Sequence, residues 1–258
     1  MFDHTLQALL ASLFTWGMTA AGAAVVIFFV HINSSVINAM LSFAAGVMTA
    51  ASFWSLLAPA ISLSMELRMN AWLVCFLGFL TGGAVLMAGD FCADHFCRTK
   101  SFRDTDKRSL MLVSSVTFHN IPEGLAVGVA FGSLAHLIEG ATLAGAILLA
   151  FGIGIQNLPE GMAVSVPLRC DGMKRGKAFF VGQLSGVVEP ISAVLGALLT
   201  VRIRSLLPFM LSVAAGAMIY VVVRELVPES QQDSKKPFMA IMMLLGFSVM
   251  MALDVALG

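Results

Sequence analysis

Long apolar runs separated by short polar loops recur from one end of this chain to the other. A helix needs about 20 apolar residues to cross the hydrocarbon core of a bilayer. Eight runs reach that length, at residues 6–30, 36–63, 71–91, 110–133, 140–168, 176–201, 206–227 and 238–257. Only 12% of the residues are charged, against about 25% in a soluble domain. The pattern predicts an all-α integral membrane protein with eight transmembrane helices, organised as a single domain over residues 1–258. Its zero net charge argues against nucleic acid as a partner. Cys75, Cys92, Cys97 and Cys170 do not form the dense framework of a secreted disulfide scaffold. The N-terminal MFDHTLQ lacks the basic region of a signal peptide, so the first run is expected to remain as a span.

Loop charge predicts the orientation. Arg98, Lys100, Arg103, Lys107 and Arg108 follow the third run. Arg169, Lys174, Arg175 and Lys177 follow the fifth, and Lys235 and Lys236 the seventh. The other side carries Arg68, Arg202 and Arg204. The positive-inside rule therefore puts the three basic loops in the cytosol and both termini outside. A multi-pass plasma-membrane protein is expected, and the short loops suit a bacterial inner membrane.

Two of the runs are near copies. Residues 119–129 read HNIPEGLAVGV, and residues 156–166 read QNLPEGMAVSV. In each, a glutamate lies four residues after a His or Gln, so on a helix both side chains share one face. A proline between them removes a backbone hydrogen bond. A second, shorter match joins LSFAAGVM at 41–48 to LSVAAGAM at 211–218. Both matches relate runs that cross in opposite directions. Runs one to three then correspond to runs six to eight as an inverted repeat, with runs four and five central, in a 3+2+3 arrangement. Inverted repeats that enclose a midplane site are a transporter signature.

Glu123 lies about 20 Å into the membrane at 1.5 Å per residue, close to the middle of a core roughly 30 Å thick. Glu160 is well inside the fifth run, and Glu189-Pro190 inside the sixth. Three ionised carboxylates converging in a dry interior repel one another, so protons or a cation must compensate them. His119, Asn120, Gln156 and Asn157 add nitrogen and oxygen donors beside the glutamates. That mixture suits zinc, iron, manganese or cobalt better than thiophilic ions. The absence of thiols favours reversible binding over a closed structural zinc site. Pro122, Pro159 and Pro190 each free a backbone carbonyl next to a glutamate, which is tolerated at depth only in a cavity or inside protein. The glycine after each motif glutamate allows close helix approach.

HNIPEG followed by QNLPEG, with a glutamate in the next run, resembles the ZIP (Zrt-, Irt-like protein) family of divalent metal transporters. The short loops and the GVMTAASFWSLL stretch at 46–57 resemble its GufA-like subgroup. The resemblance implies a dimeric eight-helix protein that imports zinc or a related cation. The metal is then a transported substrate, with no cofactor required. It also implies two adjacent metal positions, a binuclear arrangement. His119, Glu123, Gln156 and Glu160 would make the first. Asn120, Glu123, Asn157, Glu160 and Glu189 would make the second, with the glutamates bridging. Asn157 stands where some relatives have aspartate, which removes a charge from the second position. Arg224-Glu225 stands where relatives often carry His-Glu, and an arginine cannot ligate a cation; Arg224 is expected either to pair with Asp90 or to reach the cytosolic interface.

Weaker clusters are Asp90, Cys92, Asp94, His95 and Cys97 at the cytosolic end of the third run, and Asp3, His4, His136 and Glu139 facing outside. The expected function is a secondary transporter of divalent metal into the cytosol by alternating access. The alternatives are an intramembrane metal-dependent hydrolase, against which the lack of an HExxH motif counts, and a metal sensor that binds without translocating.

Overall fold

A computed structural model describes residues 2–28, 34–99, 104–136, 142–231 and 236–257. Among them every regular element is helical. Helix α1 spans Phe2–Phe28. Helices α2 (Ser34–Ala51) and α3 (Ala58–Glu66) are joined through a π-helical turn at Ser52–Leu57. Helices α4 (Ala71–Thr99) and α5 (Asp104–Ser133) follow. Helix α6 (Leu143–Cys170) starts at Thr142, whose hydroxyl accepts from the Gly145 N–H at 2.9 Å. Helices α7 (Arg175–Leu184) and α8 (Val188–Arg202) are linked by one 3-10 turn, Ser185–Val187. Helices α9 (Leu207–Val221) and α10 (Val227–Ser230) flank a second π-helical turn at Val222–Leu226, and α11 covers Lys236–Leu257.

Among the described residues, seven helical stretches are long and apolar enough to cross a membrane: Asp3–Phe28, Ser34–Glu66, Ala71–Cys92, Leu143–Cys170, Arg175–Val201, Leu207–Ser230 and Lys236–Ala256. The expected fourth span, in α5, is a continuous helix of 30 residues but is not one of the seven. Its apolar character is diluted by Thr117, His119, Asn120 and Glu123. It packs chiefly on α8 and also meets α9, α1, α6 and α4. Protein thus surrounds much of the helix that carries the most polar motif.

The sixth apolar run forms one helical stretch, Arg175–Val201, as expected, and tightens to a 3-10 turn at Ser185–Val187. Pro190 falls in the first turn of α8, where its missing N–H has no partner to lose. Pro122 and Pro159 instead lie within continuous helices. The two π-helical turns fall at matching places after the AAG patches of α2 and α9. Such turns insert one extra residue into the helical ladder.

Four pairings dominate the packing: α1 with α6, α5 with α8, α2 with α11, and α4 with α9. The last two are built alike. A Cβ on Gly46 of α2 would run into the backbone of Met243 on α11, and one on Gly216 of α9 into the backbone of Phe79 on α4. In the reverse sense, Gly246 faces the Phe43 backbone and Gly82 faces the Val213 backbone. Gly46 and Gly216 are the same residue of the two AAG copies. Around them lies a core that includes Met48, Leu56, Leu149, Ile153, Leu207 and Met218. Trp72, Phe76 and Leu80 on α4 and Ile241 and Leu244 on α11 are exposed, as side chains facing lipid would be.

The close approach of α9 to α4 gives a direct test. Gly216→Ala should lower the unfolding temperature of the detergent-purified protein, at a cost of about 1–3 kcal/mol for overpacking. Gly17→Ala, inside α1 where a Cβ meets nothing within 4 Å, should instead leave that temperature unlowered and raise it slightly, by about 0.5–1 kcal/mol of helix propensity.

Candidate metal centre

The central helices bring the two motif copies face to face. Asn120 and Glu123 on α5, Gln156 and Asn157 on α6, and Glu189 on α8 are fully buried, and Glu160 on α6 is 4% exposed. The His119 backbone belongs to α5, but its side chain lies outside the described residues. Glu123, Glu160 and Glu189 are close enough to repel one another. Glu160 also feels Glu225, on the π-helical turn after α9.

The amide side chains orient this cluster. Gln156 Nε2 donates to Glu123 Oε1 at 2.6 Å. Asn120 Nδ2 donates to the Ser185 carbonyl at 2.9 Å, within the 3-10 turn that links α7 to α8. Asn157 Nδ2 donates to Glu189 Oε1 at 3.0 Å and Oε2 at 2.9 Å, and lies 3.2 Å from the Thr15 carbonyl. Each NH2 is turned toward an acceptor, which leaves the amide oxygens over. Asn120 Oδ1, Gln156 Oε1 and Asn157 Oδ1 have no hydrogen-bond partner among the described residues. The same holds for Glu123 Oε2 and both oxygens of Glu160. An unpaired buried acceptor costs about 1–3 kcal/mol, more when charged. Acceptors gathered without donors are what a hard or borderline cation can satisfy.

Among the described residues, no three His, Cys, Asp or Glu side chains form a group that could hold a metal ion by themselves. A cation here would take amide oxygens as well as carboxylates. The glycine after each motif glutamate permits the required closeness. A Cβ on Gly124 would strike Ser192 Oγ and the Glu189 backbone, and one on Gly161 would strike the Thr19 backbone.

Two contributors were not visible in the motifs. Thr15 and Thr19 of α1 are fully buried and both donate to the Glu189 carboxylate, Thr19 at 3.3 Å. Their four-residue spacing within an apolar helix was the signal available. Glu225, which follows Arg224, also acts on Glu160, after Glu189 in strength. At Asp90, the donor found is Tyr220, whose hydroxyl lies 3.0 Å from Oδ2. Arg224 is exposed and lies near enough to Tyr220 to interact with it.

Cys92 and His95 are exposed, while the side chains of Asp94 and Cys97 lie outside the described residues. His4 bonds Gln7 at 3.1 Å and Asp3 is exposed. The His136 side chain and Glu139 are also outside the described residues.

The family model described as ZIP Zinc transporter matches residues 99–254, a stretch that contains every residue of the expected site. The human protein named Zinc transporter ZIP11 is 36% identical over 338 aligned residues, covering 99% of this chain and 98% of that one. The chain belongs to the ZIP family. Zinc transporter ZIPB of Bordetella bronchiseptica is 32% identical over 99% of this chain and 82% of its own length. Zinc transporter GufA of Myxococcus xanthus is 39% identical over 58% of this chain and 56% of its own. The ZIP relatives are transporters and not enzymes, which removes the hydrolase alternative.

The Gln156–Glu123 bond supplies a prediction. Gln156→Leu removes the donor and leaves Glu123 Oε1 unpaired, so the metal-free protein should unfold about 1–3 kcal/mol more easily. Thermal unfolding in detergent after chelation measures this, and an unchanged midpoint would contradict the bond.

Proposed function

We propose that this ZIP-family chain is a secondary transporter of divalent metal, zinc above all. Glu123 and Glu160 replace part of the ion's hydration shell at mid-membrane, helped by the oxygens of Asn120 and Gln156 and by His119. The observation that carries this reading is the set of buried oxygens on Glu123, Glu160, Asn120 and Gln156 that find no hydrogen-bond partner among the described residues. The relatives named as zinc transporters favour zinc. Iron, manganese, cobalt and cadmium share enough of its ligand chemistry to compete.

The fold reading behind the proposal is eight transmembrane helices in an inverted 3+2+3 arrangement, with α5 as the polar eighth. The matched glycine contacts of α2 with α11 and α9 with α4 support it. So does the equivalence of the two motif-bearing helices, each packed through its post-glutamate glycine against α8 or α1. Alternating access then exposes the glutamates to each side of the membrane in turn. The basic loops orient the cytosolic face, with both termini outside, so that net movement is inward in a plasma membrane such as a bacterial inner membrane. The resemblance adds a homodimer.

Radioactive-zinc uptake into proteoliposomes tests the proposal. Wild-type protein should take up zinc above empty vesicles, with iron, manganese and cobalt competing. Glu123→Ala combined with Glu160→Ala should reduce uptake to the empty-vesicle level. Uptake retained by the double variant would refute the site.

A further inference from the structure

Glu189 differs from the other two glutamates in what surrounds it. It lies in the first turn of α8, directly after the 3-10 turn at Ser185–Val187. Its oxygens are already taken. Thr15 Oγ1 donates to Oε2. Thr19 Oγ1 reaches Oε1 at 3.3 Å, and Asn157 Nδ2 reaches both oxygens at 3.0 and 2.9 Å. Neither Glu189 oxygen is among the buried atoms without a partner, whereas Glu123 Oε2 and both Glu160 oxygens are. The three donors are fully buried, so water does not compete with them.

This arrangement bears on how many ions the centre holds. A second ion adjacent to the first would need lone pairs from Glu189 and Asn157. The Glu189 oxygens face the Asn157 amide and two hydroxyls, each with one proton for which a backbone carbonyl also competes: Ser12 at 3.0 Å for Thr15 and Thr15 at 3.4 Å for Thr19. The Asn157 nitrogen that faces Glu189 has no lone pair to offer; the lone pairs of this amide are on Oδ1, which has no partner among the described residues. A cation on Glu189 would therefore have to displace the Thr15 and Thr19 hydroxyls and turn the Asn157 amide away. The threonines sit on α1 and Glu189 on α8, and Trp16 Nε1 of α1 also donates to the Gln183 carbonyl beside the same 3-10 turn, at 2.9 Å. The α1 face thus fixes where the Glu189 carboxylate points.

We infer that Thr15 and Thr19 are positioning residues: with Asn157 they hold Glu189 as an internally satisfied anchor, so that the chain carries a single cation on Glu123 and Glu160. The inference rests on the reading of those two glutamates as the carriers of the ion. It makes the threonines determinants of metal stoichiometry.

The test is zinc titration of the full-length, metal-stripped protein in detergent, read by calorimetry and by elemental analysis of the gel-filtered complex. Wild-type protein should bind one zinc per chain. Glu189→Gln should still bind one, with affinity changed by less than about tenfold. Thr15→Val with Thr19→Val removes both hydroxyl protons at nearly constant shape and should add a second, weaker zinc per chain. Thr15→Ser with Thr19→Ser restores the hydroxyls and should return the count to one. Thermal unfolding of each variant separates a change at the site from general damage, because a loosened chain exposes Cys and His that also bind zinc.

Two zinc ions in the wild type, with Glu189→Gln reducing them to one, would overturn the inference. So would a valine pair that still binds one. If the valine pair does not fold, the Glu189→Gln count and affinity decide alone. Zinc binding that survives Glu123→Gln combined with Glu160→Gln would instead overturn the proposed carriers, an outcome distinct from failure of the anchor.

Discussion

Carboxylate oxygens enclosed where neither water nor a protein donor reaches them are what the rest of this structure accommodates. Glu123 and Glu160 occupy that condition, and each lies on a helix wrapped by other helices. When ionised, the buried acids repel one another, so protons or a cation must compensate them. Gln156 covers one oxygen of Glu123 and leaves the other bare. Its partly satisfied state separates this cluster from an ordinary buried polar network, which is stable only when every member is paired.

The scaffold makes that cluster possible through backbone proximity. Gly124 and Gly161 let α8 and α1 close on the motif helices. The 3-10 turn at Ser185–Val187 exposes a carbonyl that Asn120 satisfies. The same 3-10 turn leads into α8 and places Glu189 in its first turn. The helix pairs α2–α11 and α4–α9 repeat one glycine-to-carbonyl packing scheme on either side of the centre. A related sequence used twice in this way builds a scaffold with two similar halves and one shared interior.

The motif residues were legible because helical spacing and intramembrane charge are both explicit in the chain. HNIPEG and QNLPEG put the acid and its neighbour one turn apart, and burial follows from the apolar flanks. Other features left fainter traces. Thr15 and Thr19 lie in an apolar span, where a threonine commonly bonds back to its own helix, as Thr49 does to Ala45. Only the arrival of α8 reveals their second acceptor. The π-helical turns at Ser52–Leu57 and Val222–Leu226 carry no compositional mark. The polar load of α5 had the opposite effect: the helix was anticipated from its motif, yet it falls outside the seven stretches apolar enough to cross a membrane. Of the two readings of Arg224, pairing with Asp90 or reaching the interface, its exposure fits the second, and Tyr220, four residues earlier, reaches Asp90 instead.

Anomalous diffraction at the zinc edge, from crystals grown with zinc, tests the central claim most directly. The account predicts one dominant peak among the described centre's oxygens, about 2.0–2.2 Å from a carboxylate oxygen of both Glu123 and Glu160. A dominant peak elsewhere, such as beside Cys92 and His95, with none at these two glutamates, would contradict it.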